Sequence, residues 1–181
     1  NIGAKGMDGA NVTFNNVTFT YANNSTYKGL QHAGNLVYND CTFNGQVFLY
    51  GNSETFNNCT FNQTDAENYN VWTYGAKKVT FNECTFNQES KDAYNVWTYG
   101  ADKVEFNKCT FNSAGKSVLV YTETKTAFTE LAVSETTFNA SEAVAGKAAI
   151  EIDTSLSSGA NIEIENTTAT GFGAGNVSGN S

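Results

Sequence analysis

Hydrophobic and polar residues alternate along this chain in short segments that recur at regular intervals. The typical unit reads Val-x-Phe, then two polar residues, then Cys-x-Phe, as in residues 79–86 and 104–111. Alternation with a period of two, carried by β-branched and aromatic residues, predicts short strands that bury one face. The two polar residues usually begin with asparagine, which tolerates left-handed backbone angles, so they predict a bend between two strands.

Seven such units follow one another. Their Cys positions fall at residues 17, 41, 59, 84, 109, 136 and 167, at intervals of 18 to 31 residues. A third strand is predicted at residues 47–50, 71–74, 96–99, 118–121 and 149–152, and the segment YNVWTYG occurs twice, at 69–75 and 94–100. Repeats of this length bury their apolar faces by stacking on one another. We therefore predict an all-β fold, a parallel β-helix of about seven coils with three short strands per coil.

The pattern Val-x-Phe-Asn-x-Cys-x-Phe-Asn, as in residues 79–87, resembles the right-handed parallel β-helix of the pectin-lyase-like superfamily, in the form found as repeats in bacterial surface proteins. The resemblance spans roughly residues 11–172. It implies a right-handed, single-stranded helix that is a repeat module of an adhesin-type protein, secreted or on the bacterial cell surface. It does not decide the function, since this scaffold carries lyases, hydrolases and non-catalytic adhesins. We expect a single domain over residues 1–181, excised from a larger surface protein, with irregular ends at 1–10 and 173–181.

Composition narrows the class of partner. The formal net charge is -8 and the chain has no arginine. Because nucleic-acid phosphates are bound by a surplus of Lys and Arg, we expect no nucleic-acid partner. No run of 18 apolar residues is present, so we expect no membrane insertion.

Equivalent residues of successive units should form columns along the stack. Side chains that point inward in parallel offer neither the dihedral angle of a disulfide nor the tetrahedral convergence of a zinc site. We therefore predict free buried thiols, and no metal or cofactor, for Cys41, Cys59, Cys84 and Cys109. A second column should form a hydrogen-bonded amide ladder at a bend, and it contains Asn44, Asn62, Asn87, Asn112 and Asn139.

Catalysis is not predicted. The lyases of this superfamily use a catalytic Arg or Lys with calcium, and the chain has no arginine; its aspartates form no pair on consecutive strands, whereas inverting glycosidases need two carboxylates. His32, the only histidine, has no evident Asp or Ser companion and is interpreted as a loop residue. Two alternatives stay open: calcium at the acidic loops with Asp65, Glu67, Glu89 and Asp92, and ice binding by the aligned threonines, although β propensity explains outward threonine.

The third strand carries the candidate site. If Val71 and Thr73 point inward, the residues between them must point outward. This rule predicts an outward strip over four coils formed by Phe48, Tyr50, Trp72, Tyr74, Trp97, Tyr99, Leu119 and Tyr121, with Tyr69 and Tyr94 beside it. An exposed apolar area of that size usually marks a binding surface. The strip could instead be roofed by residues 63–70 and 88–95, or the register could be flipped.

We expect a non-catalytic binding module. The favoured partner is a host protein, because Trp and Tyr dominate protein interface hot spots. The resemblance to surface β-helices of gut bacteria that capture immunoglobulin variable domains, as superantigens do, favours an immunoglobulin-type receptor. An extracellular glycan that stacks on Trp72 and Trp97 is the alternative, and a polysaccharide lyase or hydrolase is a weaker one.

Overall fold

The computed structural model describes residues 10–20, 30–32, 34–65, 68–73, 76–98, 101–120, 130–152, 161–175 and 177–179. In these ranges the chain forms 21 strands and no helix, so none of these residues belongs to a helix able to cross a lipid bilayer.

The strands follow one another coil by coil. Coils 1 to 3 contain β1 (Asn11–Asn15), β2 (Thr18–Thr20), β3 (Leu30–His32), β4 (Asn35–Asn39), β5 (Thr42–Asn44), β6 (Val47–Leu49), β7 (Ser53–Asn57), β8 (Thr60–Gln63) and β9 (Val71–Trp72). Coils 4 to 6 contain β10 (Lys78–Asn82), β11 (Thr85–Gln88), β12 (Val96–Trp97), β13 (Lys103–Asn107), β14 (Thr110–Ser113), β15 (Val118–Val120), β16 (Glu130–Ser134), β17 (Thr137–Ala140) and β18 (Ile150–Ile152). Coil 7 contains β19 (Asn161–Glu165) and β20 (Thr167–Thr170), and β21 (Val177–Gly179) follows it.

Equivalent strands of successive coils pair in parallel and build three sheets. The first sheet has the order β1-β4-β7-β10-β13-β16-β19, the second β2-β5-β8-β11-β14-β17-β20-β21, and the third β18-β15-β12-β9-β6-β3. Pairing places equivalent residues side by side, such as Phe81 with Phe106 and Trp72 with Trp97. The predicted all-β parallel β-helix with three short strands per coil is therefore confirmed. We expect its hand to be right, as in about 98% of parallel crossover connections.

Two local predictions differ from the structure. His32, interpreted as a loop residue, lies in β3 and pairs with Leu49; Leu30–His32 lacks the apolar alternation that marked the other third strands. The tail predicted to be irregular contains β21. Ile152 pairs with buried Val120 but is 43% exposed, because no described strand of the third sheet lies beyond β18.

Two columns of stacked aromatic rings fill the core. Within a column the ring planes are nearly parallel, as for Tyr38 and Phe56, whose centroids are 4.6 Å apart at 3°. The two columns meet edge to face, as for Phe81 and Phe86 at 5.1 Å and 74°. Offset-stacked and edge-to-face contacts are the favoured geometries of aromatic pairs. The Val-x-Phe and Cys-x-Phe alternation thus sets which residues face inward.

The bend between the first and second sheets has a left-handed backbone. The φ angle lies between 48° and 56° at Asn16, Asp40, Asn58, Glu83, Lys108, Glu135 and Asn166. These are the second polar residues of each bend, whereas the sequence pattern assigned the left-handed conformation to the leading asparagine. The leading asparagines instead form an amide ladder, in which Asn57 donates to Asn39 and Asn82 donates to Asn57, both at 2.9 Å. We call it the first ladder.

The predicted columns of cysteine and asparagine are both confirmed. All four cysteines are buried and free, and the Cys84 thiol donates to the Phe56 carbonyl at 3.3 Å. Burial raises the pKa of the Cys84 thiol. The predicted asparagine column forms a ladder on the outer face of the second sheet, and we call it the second ladder. In it, Asn87 donates to Asn62 at 2.8 Å and Asn112 donates to Asn87 at 2.9 Å.

Candidate binding surface

The third sheet has the predicted register. Val71, Thr73, Val96 and Thr98 are fully buried, whereas the intervening tryptophans Trp72 and Trp97 are half-buried. Alternation of this kind places the tryptophans on the outer side of the sheet. The flipped register, which would have put them into the core, is wrong.

The outer side carries a compact group of rings. The Trp72 and Trp97 rings stack at 4.5 Å with an interplanar angle of 20°. The Tyr69 ring lies 4.8 Å from Trp97 and 6.5 Å from Trp72, and it stacks on the Tyr94 ring at 6.2 Å and 16°. We call Tyr69, Trp72, Tyr94 and Trp97 the aromatic cluster. Tyr69 therefore packs against both tryptophans, and Tyr94 from the next loop stacks on Tyr69.

The structure favours the alternative in which the loops at residues 63–70 and 88–95 cover the strip, rather than a strip that is open to solvent. Phe48 is fully buried against Trp72, with ring centroids 4.9 Å apart, so it is not accessible to a partner. Tyr94 is 8% exposed. Tyr50, Tyr69, Trp72, Trp97 and Leu119 are half-buried. Tyr74, Tyr99 and Tyr121 lie outside the described residues.

Buried glutamines hold the two loops that carry Tyr69 and Tyr94. Gln88 donates to the backbone carbonyls of Asn68 at 3.0 Å and Tyr94 at 3.1 Å, and it accepts from the Ser90 amide at 3.1 Å. Gln63 makes the equivalent bonds one coil earlier, donating to the Tyr69 carbonyl at 2.9 Å and accepting from the Asp65 amide at 3.0 Å. Each glutamine thus ties the start of its loop to the end.

Buried asparagines complete this attachment. Asn70 donates to the Phe61 carbonyl at 2.9 Å and to the Asn95 side chain at 3.0 Å. Sequence reasoning missed the role of Gln63, Gln88, Asn70 and Asn95. Their signal was a glutamine and an asparagine that recur 25 residues apart at both ends of the two loops.

Charged groups surround the Tyr94 hydroxyl. Lys147 lies 3.5 Å from this hydroxyl and pairs with Glu151 at 3.1 Å, and the Lys116 ammonium lies 5.4 Å from the Tyr94 ring centre. Burial, reinforced by the Glu151 carboxylate, raises the pKa of Tyr94 to about 12. The hydroxyl is therefore neutral at physiological pH and serves as a hydrogen-bonding group.

The ring geometry limits what the cluster can contact. The faces of Trp72 are covered by Phe48 and Trp97, and Trp97 is also in contact with Tyr69. A sugar stacks on an open ring face, whereas a protein side chain can pack against ring edges. Because these faces are covered, the stack is a poor platform for a sugar ring.

The described residues contain no group of three or more His, Cys, Asp or Glu side chains placed to hold a metal ion. In the acidic loops considered for calcium, the Asp92 carboxylate pairs with the Lys91 ammonium at 2.9 Å, and Glu67 lies outside the described residues.

Comparison of the chain with protein-family models, with curated proteins and with solved structures gives no match.

Proposed function

We propose that this chain is a non-catalytic binding module of a secreted or cell-surface bacterial protein, and that it binds a host protein through the half-buried members of the aromatic cluster, Tyr69, Trp72 and Trp97. One observation carries the proposal: the core of the third sheet is already filled by Val71, Thr73, Val96 and Thr98. The aromatic cluster lies outside that core. The bacterial setting and the cell-surface location rest on the resemblance of the repeat pattern.

Two features of the cluster support a protein as the ligand. Its ring faces are occupied within the stack, which favours edge contacts over sugar stacking. The buried glutamines fix the loops before binding, so little conformational entropy would be lost on association. An immunoglobulin variable domain is the favoured partner because of the resemblance to surface β-helices that capture such domains.

The test measures binding of purified immunoglobulin Fab fragments to the immobilised full chain. We expect Trp97→Ala and Tyr69→Ala each to weaken binding roughly 30-fold, which corresponds to a hot-spot loss of about 2 kcal/mol. Thr85→Ala, an outward change on the second sheet, is the matched control and should bind as the parent does. Tyr69→Phe, which keeps the ring, should retain most of the affinity.

Other outcomes would contradict the proposal. Fab binding that is unaffected by both alanine changes would place the contact elsewhere, and absence of Fab binding would remove the immunoglobulin partner. Competition by free oligosaccharides at the cluster would favour the glycan alternative. Release of reducing ends from a polysaccharide would contradict the non-catalytic assignment.

A further inference from the structure

The outer face of the second sheet carries no charged residue in its described strands. One outward column contains only threonine: Thr18, Thr42, Thr60, Thr85, Thr110, Thr137 and Thr168. The other contains only threonine and asparagine: Thr20, Asn44, Asn62, Asn87, Asn112, Asn139 and Thr170. The chain has 10 basic and 18 acidic residues, and the first sheet carries several of them outward, including Lys103, Glu105 and Glu163.

Each amide of the second ladder keeps hydrogen-bonding capacity. The Asn112 side chain donates to Asn87 at 2.9 Å and accepts from Asn139 at 3.3 Å. A side-chain amide has two N–H donors and two acceptor lone pairs. One donor and one lone pair per coil therefore remain for a ligand, in addition to the threonine hydroxyl of the same strand.

A groove runs beside this ladder. It has a volume of about 480 Å³ and extends along Asn87, Asn112 and Asn139, with Gln88, Ser113 and Ala140 next to them. Glu89 is the one charged residue among those that line it. Because coils are about 4.8 Å apart, the three ladder residues span roughly 10 Å along the axis. Ligand pockets commonly have volumes of about 300–1,000 Å³.

We propose that this groove binds an uncharged, hydroxyl-rich polysaccharide chain that lies along the helix axis. The lack of charge on the face gives no ionic preference, whereas amides and hydroxyls match the donors and acceptors of sugar hydroxyls. The site repeats at each coil, so a polymer of repeating units can make the same bonds several times and gain avidity. A globular protein would find no aromatic or arginine anchor on this face.

This proposal does not depend on the aromatic cluster, which lies on the third sheet. The test is native affinity electrophoresis of the full chain in gels that contain a soluble mannan, xylan, mixed-linkage glucan or dextran, with polygalacturonate as the charged comparison. We expect retardation by at least one uncharged polymer. The Trp97→Ala variant should be retarded as strongly as the parent.

The decisive variant is Asn112→Thr, chosen because Thr20 and Thr170 occupy the same column in the outermost coils. It removes the amide but keeps a hydroxyl in the ladder, and we expect about tenfold weaker binding, as for the loss of one or two hydrogen bonds. Asn107→Thr makes the same change in the first ladder, away from the groove, and should leave binding unchanged. Ser141→Trp, at the exposed rim, should also weaken binding by filling the groove.

The proposal would be overturned by any of four results. These are retardation by none of the uncharged polymers, retardation by polygalacturonate alone, equal weakening by Asn112→Thr and Asn107→Thr, or Ser141→Trp that folds and binds as the parent does. Thermal hysteresis of ice without any retardation would assign the uncharged face to a flat crystal surface instead.

Discussion

At the scale of single residues, Glu54 is the least expected occupant of the core. It lies in the first sheet between Leu36 and Val79 and is fully buried. One carboxyl oxygen accepts from the Gly51 amide at 3.3 Å, and the other has no hydrogen-bond partner among the described residues. Gly51 provides room for the carboxyl group, since a Cβ atom there would lie 3.0 Å from Glu54 Cγ. Burial raises the pKa of Glu54 well above its usual range, so the folded state favours the neutral carboxyl group.

Glu54→Leu should therefore stabilise the protein at pH 7, by about 1–3 kcal/mol, because it removes a buried group with an unsatisfied atom. The gain should shrink toward pH 4. At a pH below the pKa of Glu54 in the unfolded chain, the folded and unfolded states both hold the proton. Between that pKa and the higher pKa of the folded state, only the unfolded state loses the proton, so Glu54 lowers the stability of the protein as pH rises through this range.

Urea unfolding of parent and variant at pH 4 and pH 7 measures this difference. Glu105→Leu is the control, because Glu105 lies on the outer side of the same sheet and pairs with Lys103 at 2.9 Å. It should change stability little and without the same pH trend. An equal gain from Glu54→Leu at both pH values would show that the carboxyl group is not neutralised by burial.

At the scale of elements, the loops at residues 63–70 and 88–95 are held by hydrogen bonds from buried side chains to the loop backbone, rather than by strand pairing. Gln88→Leu keeps the side-chain volume but leaves the Asn68 and Tyr94 carbonyls and the Ser90 amide without this partner. We expect the amides of residues 89–95 to exchange with deuterium about 10- to 100-fold faster, since each lost buried bond costs about 1–3 kcal/mol.

Hydrogen exchange followed by mass spectrometry gives the comparison. Peptides from the first sheet should exchange at the parent rate, and the outward Thr85→Ala change in the same strand should leave the loop unchanged. Uniformly faster exchange over all coils would mean that Gln88 supports the whole fold rather than its loop.

The strands and the columns of stacked residues could be predicted because the apolar residues that form them recur at regular spacing in the sequence. Val79, Phe81, Cys84 and Phe86 alternate strictly, and the same spacing recurs in the next coil, so burial and pairing follow from one rule. The alternation could not decide whether the loops at residues 63–70 and 88–95 cover the strip. The path of the two loops depends on hydrogen bonds of buried glutamines and asparagines such as Gln88 and Asn70, and nothing in the local alternation indicates these bonds. The rule gave Trp72 an outward direction, and the sequence placed Tyr69 beside it, but the alternation did not decide whether the loop that carries Tyr69 covers the strip.

At the scale of the whole molecule, each coil contacts its neighbours in sequence, as in other repeat proteins. Residues 76–100 form one period, because Lys78 pairs with Lys103 and Val71 with Val96. Deleting this period should join equivalent positions and leave a folded, shorter helix. We expect a urea m-value lower by roughly one seventh, since the slope scales with the surface exposed on unfolding.

Deletion of residues 80–103, one residue shorter, is the matched control. It joins Val79 directly to Val104 within one strand, where both face inward in the parent, and a one-residue slip within a strand turns its inward side chains outward. This variant should fail to fold, as judged by circular dichroism. Equal folding of the two deletions would contradict the dependence on register.

The last described strand, β21, covers one edge of the second sheet. β21 runs antiparallel to β20, pairing Ser178 with Thr168, whereas the other described strand pairs are parallel. A stack of parallel strands with an open edge is a template on which further chains can polymerise. Because β21 pairs with β20 in the opposite direction, it covers the edge on which the next parallel strand would pair. Any chain that extended the parallel series on this sheet would first have to displace β21.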